Sequence, residues 1–241
     1  MQVRSLFISD THLGLDLANH PQLLDLISNT DCEFLFIVGD FVDGWKLKRK
    51  WYWHKNYNTI IQKILRLSRK GTKVIYLWGN HDDFLSSFEN NYGENFTICR
   101  DYIHTTIKGE KILILHGDQF DGIIARFKFI QIIGSIIYDY SLYLNKIFRV
   151  FKFSLSNFLK QKAKEAIKYI NDYENAASNY AKQNNCNSIM VGHIHKAQIK
   201  TINGINYYNT GDWVESNTFI VEKINGDIKL YKYEDFSGYT M

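Results

Sequence analysis

Cysteine is scarce in this sequence. Cys32, Cys99 and Cys186 are odd in number, far apart, and form no C-x-x-C pair. A disulfide framework or zinc knuckle is thereby excluded, and a reducing compartment fits. Long apolar runs are missing as well. The nearest candidate, 129–138, falls short of the ~18 residues that a bilayer span needs and is bounded by Lys128 and Asp139. The opening MQVRSLFISD lacks the apolar stretch and cleavage site of a signal peptide. Low-complexity tails, internal repeats and linkers are absent too. The expectation is a soluble cytoplasmic protein, able to make peripheral contact with the inner face of the cell membrane.

What is present is an ordinary globular composition. The 241 residues are 45% hydrophobic and carry a net charge of +4, enough for one sizeable core. The mild positive charge suits a phosphorylated substrate or an anionic membrane, without excluding neutral partners. Short β-branched or aromatic runs at 5–9, 33–38, 74–78 and 112–115 end at Asp or Gly and read as buried strands. Between them, 22–28 and 51–69 carry helical spacing, with Ile60, Ile64 and Leu67 on one face. Alternating strands and helices imply a layered α/β fold.

The stretch 122–185 changes character. It contains no proline, and Phe, Ile and Tyr recur at three- and four-residue spacing among many basic residues. It reads as two or three helices inserted between strands of a single domain, 1–241. Strands are expected again at 188–191, 199–202, 205–208, 219–222 and 229–233, with Asn203-Gly204 and Asn225-Gly226 as hairpin turns. This tail is expected to be antiparallel sheet.

Five short motifs follow predicted strands directly: Asp10-Thr11-His12, Gly39-Asp40-Phe41-Val42-Asp43, Gly79-Asn80-His81-Asp82, His116-Gly117-Asp118 and Gly192-His193-Ile194-His195. Side chains just beyond the carboxyl ends of such strands converge on one crevice. Each motif alone has a bland reading, as a turn, a cap or a core histidine. Taken together, the carboxylate, imidazole and amide groups point to bound metal. Two divalent ions roughly 3.5–4 Å apart would clamp a phosphate and activate a water. The mixed His and carboxylate set favours Mn²⁺, with Fe or Zn as alternatives, over Mg, which prefers oxygen throughout.

The ordered set D-x-H, G-D-x-x-D, G-N-H-D, H-G-D and G-H-x-H, spanning 5–195, resembles the calcineurin-like metallophosphoesterase superfamily. The resemblance implies a four-layered α/β/β/α sandwich with a dinuclear centre. It assigns Asp10, His12, Asp40 and His195 to one metal. Asp40 would bridge to a second, held also by Asn80, His116 and His193. His81 would contact the scissile phosphate, with Asp82 orienting its ring, while Asp43 and Asp118 would play supporting parts.

A narrower likeness rests on Ser9-Asp10-Thr11-His12-Leu13-Gly14, Gly44-Trp45, the His116 motif extended to Asp121, and the stretch from Tyr208 through Asp212-Trp213 to Glu215. These are similar to the UDP-2,3-diacylglucosamine diphosphatase branch, which releases UMP and an acylated sugar phosphate in lipid A synthesis. That likeness implies a nucleotide-lipid substrate attacked by metal-bound hydroxide. The inserted helices would form a cap, its aromatic stretch 120–158 sheltering acyl chains. Lys160, Lys164 and Lys168, four apart on one helix face, would reach sugar and phosphates. The sequence departs from the best-known lipid A enzymes at His81, where they carry Arg. A phosphodiesterase or nuclease acting on another diester is the rival enzyme; a non-catalytic interaction scaffold is the rival from another class. No nucleic-acid partner is expected.

Overall fold

The computed structural model describes residues 1–16, 18–122 and 155–237. The chain divides into two compact units, Met1–Asp118 with Ser178–Met241, and Gln119–Ala177.

The first unit holds two sheets. Its strands are β1 (Gln2–Ile8), β2 (Asp31–Val38), β3 (Lys73–Leu77), β4 (Asn90–Asn91), β5 (Phe96–Cys99), β6 (Asp101–Thr105), β7 (Lys111–Leu115), β8 (Ser188–Val191), β9 (Gln198–Ile202), β10 (Ile205–Asn209), β11 (Thr218–Glu222) and β12 (Ile228–Lys232). Seven form a sheet in the order β12-β11-β1-β2-β3-β5-β4, and five form a second in the order β6-β7-β8-β10-β9. β1, β2 and β3 run parallel side by side, as do β7 and β8. Five strand ends are thereby aimed the same way within their sheets.

Strict alternation sorts the core into layers. Leu35 and Ile37 of β2, Val74 and Tyr76 of β3, and Phe219 and Val221 of β11 pack with Leu23, Leu26 and Ile27 of α1 (His20–Ser28) and with Tyr57, Ile60 and Ile64 of α3 (Lys55–Arg69). The residues between them face the other way. Phe36, Val38, Ile75, Leu77 and Ile220 meet Ile112 and Ile114 of β7, Met190 of β8 and Tyr208 of β10. Both faces of the first sheet are covered, which is why its central strands read as continuous apolar runs. The long helix α4 (Leu155–Gln183) lies between β7 and β8 in the chain, and its last turn, with buried Ala181, belongs to the first unit. The result is the α/β/β/α sandwich with a helical insertion.

Several local expectations change. The helix foreseen over 51–69 starts at Lys55, because His54 caps it: its Nδ1 accepts from the Asn56 N–H at 3.2 Å. A short helix, α2 (Gly44–Arg49), precedes it, capped by the Asp43 carboxylate on the Lys46 N–H. The strands after 198 do not form one antiparallel sheet. Both Asn-Gly hairpins occur, but β9–β10 joins the second sheet through β8, in parallel, while β11–β12 joins the first beside β1. The terminal helix α5 (Tyr233–Ser237) follows β12. Within 122–185, the stretch 123–154 lies outside the described residues.

Candidate metal centre

All five motifs stand at carboxyl ends of strands: Asp10 after β1, Asp40 after β2, Asn80 after β3, His116 after β7, and His193 and His195 after β8. The chain turns sharply there. Asp10, His12, Asp40, His193 and His195 have φ between 46° and 66°, the left-handed region. That conformation costs an ordinary residue roughly 1–2 kcal/mol, and such strain gathers where side chains must converge. Backbone hydrogen bonds hold it: Asp10 N to Gly39 O at 3.1 Å, His12 N to Asp40 O at 3.0 Å, and Trp213 N to Asp10 O at 3.0 Å. The motif glycines have a steric reason. A Cβ on Gly79 would run into the Asp40 carboxylate and the His116 ring, and one on Gly192 into Asp10 and Ser9.

The turns bring together two clusters of donor atoms from the expected ligands, adjoined by a third group, His12, Asp43 and His81. In the first, Asp10 Oδ1 lies 3.2 Å from His195 Nε2 and 3.9 Å from His12 Nε2, and the two imidazole nitrogens face each other at 3.4 Å. In the second, Asp40, His116 and His193 each offer a ligand atom within 4.8 Å of the others. His116 Nε2 is 3.1 Å from Asp40 Oδ2. The opposite nitrogen of His116, Nδ1, donates to the Val38 carbonyl at 2.9 Å, which turns Nε2 toward the cluster.

These donor sets fit metal. Asp10 Oδ1, Asn80 Oδ1 and His116 Nε2 are buried and satisfied by no hydrogen bond, a costly state unless something else binds them. Charge points the same way. Burial pushes Asp10 and Asp40 up, but His116 and its neighbours outweigh this and hold both carboxyls below their ordinary range. Burial pushes His116 down, yet Asp40 and Asp10 lift it to about 10. The buried carboxylates thus demand positive charge, which a divalent cation supplies more fully than a proton.

Around this core, the Asp10 carboxylate is fixed on its other oxygen, Oδ2, by the Ser9 hydroxyl and the His193 N–H. Ser9 in turn contacts Thr210. His81 stands at the edge, its backbone N–H on Asp40 Oδ1 at 2.8 Å. The carboxylate at its ring is Asp43, 3.1 Å from Nδ1, and not the expected Asp82. Asp82 is buried and accepts instead from the N–H groups of Phe41, Gly79 and Asp40 and from the Tyr76 hydroxyl. It is consumed in tying two ligand loops together, so the sequence reading of Asp82 as the ring's partner is corrected. Asp43 also sits 3.6 Å from His12 Nδ1. The indole of Trp45 covers the His81 ring at 4.3 Å between centroids. A chain signal for Asp43 existed, since the G-D-x-x-D motif carries it in the same loop after β2 as Asp40. The sequence offered Gly44-Trp45 as part of the narrower likeness, but the contact of its indole with His81 emerges only in space. Asp118 is held by Arg100, whose guanidinium lies over Trp78. Lys160, Lys164 and Lys168 are exposed on α4 in the second unit.

A two-sheet sandwich with paired His and carboxylate clusters at its strand ends defines a class, the metal-dependent phosphoesterases. The chain belongs to the calcineurin-like phosphoesterase family, whose pattern matches residues 3–197. It is similar to a UDP-2,3-diacylglucosamine hydrolase from Neisseria gonorrhoeae, 26% identical over 243 residues covering 92% of this chain and 95% of the relative. The protein of the same name from Neisseria meningitidis is 27% identical over 251 residues, 94% of this chain and 98% of that one. Among solved structures, an archaeal phosphodiesterase aligns with a TM-score of 0.46 at 13% identity, over 94% of this chain and 98% of that chain.

Proposed function

We propose that this phosphoesterase hydrolyses the diphosphate of UDP-2,3-diacylglucosamine, giving UMP and 2,3-diacylglucosamine 1-phosphate. The observation that carries the hydrolytic chemistry is the pair of buried donor clusters with unsatisfied ligand atoms. The substrate reading draws on the relatives' name, held along 92% and 94% of this chain.

Asp10, His12 and His195 would hold one divalent ion, Asn80, His116 and His193 the other, and Asp40 would bridge them. Manganese suits this mixed set, with iron or zinc as alternatives. When bound, the ions neutralise phosphoryl charge and make water a strong nucleophile near neutral pH. The protein's own part is positional. The Val38 carbonyl aims His116, Ser9 and the His193 N–H aim Asp10, and Asp43 and Trp45 fix His81. Burial pushes the His81 ring down, but Asp43 and Asp40 raise it above its ordinary value. We propose that the ring, held by Asp43 at Nδ1, meets the scissile phosphate or its leaving oxygen. Lys160, Lys164 and Lys168 are proposed to meet sugar and phosphates, and the protein to work in peripheral contact with an anionic membrane.

The test is UMP release from UDP-2,3-diacylglucosamine by metal-stripped protein, with and without Mn²⁺. Fast release only with metal supports both halves of the reading. His81, in the place where the best-known lipid A enzymes carry Arg, favours a second reading, a phosphodiesterase for a smaller nucleotide diester. No UMP release alongside Mn²⁺-dependent cleavage of bis(p-nitrophenyl) phosphate would move the substrate there. In ¹⁸O water, label confined to the acyl-sugar phosphate would refute attack at the uridine-side phosphorus.

A further inference from the structure

Charge is distributed unevenly along this chain. Between Asp43 and Asp82 lie ten of its 29 basic residues and none of its 25 acidic ones, so the remainder is net negative by six. The most concentrated part is Trp45-Lys46-Leu47-Lys48-Arg49-Lys50-Trp51-Tyr52-Trp53-His54-Lys55. It forms α2 and the extended connection into α3, leaving the metal cluster directly after Asp43. Lys46, Lys48, Arg49, Lys50 and Lys55 are all exposed. So are large apolar groups beside them: Trp51 is 73% accessible, Trp45 44% and Phe84 42%. Phe84 lies against Gly44 at the start of α2.

We propose that this segment is a membrane-docking surface, which seats the protein on a bilayer rich in anionic phospholipid. Indoles rimmed by lysine and arginine suit the headgroup boundary, where the ring is half-buried and the cations meet phosphates. The stem is rigid: Trp53 packs edge-on to Tyr57 of α3 at 5.3 Å, and its Nε1 donates to Asn58 at 2.8 Å. A single-stranded nucleic acid would also welcome cations and aromatics, but base stacking needs open ring faces. Here Trp51 and Trp53 lie on each other at 5.9 Å and 24°, and Trp45 lies on His81. Trp45 and Trp53 are each partly covered by a protein ring, and Trp51 is the most open indole of the segment. That is too little of a platform for successive bases, which favours lipid.

Geometry ties the surface to the reaction. A pocket of about 390 Å³ opens among Trp45, Lys46, Lys48 and Arg49 and ends on Asp43 and His81. A phosphate carried by a lipid in the docked bilayer would enter by the side where its acyl chains already lie. Only this use of the surface rests on the lipid-linked substrate proposed above, and docking itself can be measured without hydrolysis.

The experiment is co-sedimentation of the full chain with phosphatidylcholine vesicles, with and without phosphatidylglycerol. The wild-type protein is expected to partition onto the anionic vesicles and to be released by salt. The variant combining Lys50→Glu, Trp51→Ala and Lys55→Glu should lose partitioning by at least about 25-fold, given about fivefold for each of two basic residues near such a surface. Its Mn²⁺-dependent hydrolysis of bis(p-nitrophenyl) phosphate should stay unchanged, showing an intact fold. Should that variant fail to fold, Trp51→Phe serves in its place. Quenching of indole fluorescence by brominated lipid should then be smaller in Trp51→Phe than in wild type. Undiminished partitioning of the triple variant, no binding at low salt, or binding to a single-stranded oligonucleotide but not to vesicles would each overturn the proposal.

Discussion

Nδ1 of His81 lies 3.1 Å from Oδ1 of Asp43, and the same carboxylate reaches to 3.6 Å from Nδ1 of His12. One side chain at the start of α2 therefore braces both an expected metal ligand and the ring expected at the phosphate. Its third contact, the Lys46 N–H, anchors it to the helix. Its expected part is to orient these two rings rather than to hold a metal ion.

Asp43→Asn keeps the helix cap but weakens its hold on both rings. The expected result is a fall in kcat of about 10–100-fold, the scale for losing an orienting partner. Metal stoichiometry measured by elemental analysis should stay at the wild-type value. A variant that lost metal in proportion to activity would show Asp43 to be a ligand.

His116→Ala removes the ring of the second cluster that the Val38 carbonyl orients. Turnover should fall by orders of magnitude, bound metal should drop by about one ion, and the far-ultraviolet circular dichroism should be unchanged. Full activity in this variant would refute the assignment.

Removing metal should also destabilise the fold, because the buried Asp10 and Asp40 carboxylates then keep only neighbouring histidines and the hydrogen bonds from Ser9 and the backbone against their charge. Adding Mn²⁺ at about one hundred times its dissociation constant should restore about 2.7 kcal/mol. Thermal unfolding of the chelated protein, titrated with Mn²⁺, reads this directly. A Tm indifferent to metal would argue against the site.

Gly79→Ala places a methyl group where the Asp40 carboxylate and the His116 ring already sit. Crowding of this kind costs about 1–3 kcal/mol. Tm and activity should fall together, and both losses should exceed those of Gly122→Ala, since a Cβ at Gly122 meets nothing nearby.

Acid sensitivity should trace partly to Glu222, away from the metal ligands. Burial raises its pKa, but His104, Ser5, the Ile107 N–H and Arg4 outweigh that and bring it down to about 2 from an ordinary 4.5. A depressed carboxyl stabilises the fold fully above the unfolded value. That contribution fades as pH falls from about 4.5 toward about 2. Glu222→Gln should cost about 1–3 kcal/mol at pH 7, and the gap from wild type should close with acid. Urea unfolding of both proteins between pH 3 and pH 7 measures it; a constant gap would remove Glu222 from the acid response.

Much of this was legible in the chain. Runs such as 33–38 and 74–78 announced buried strands because both faces of those strands are covered, and Asn203-Gly204 announced a hairpin because few other pairs accept its backbone angles. The strands β5 and β6 escaped notice, since each is half-exposed and mixes polar with apolar residues. The division of the last four strands between two sheets was equally hidden: hairpin signals specify local pairing and say nothing of which sheet receives the pair.

The sequence by itself determined the identity of the donor groups, their order and their position just past strand ends, because periodicity and turn chemistry are local properties. The tertiary structure alone decided that Asp43 and not Asp82 meets the ring of His81, and that Trp45 covers it. It also brought Trp45 and the cations Lys46, Lys48 and Arg49 around a pocket that reaches Asp43 and His81. Those relations depend on how separate loops pack against one another, and contact between residues forty positions apart leaves no periodic mark on a single chain.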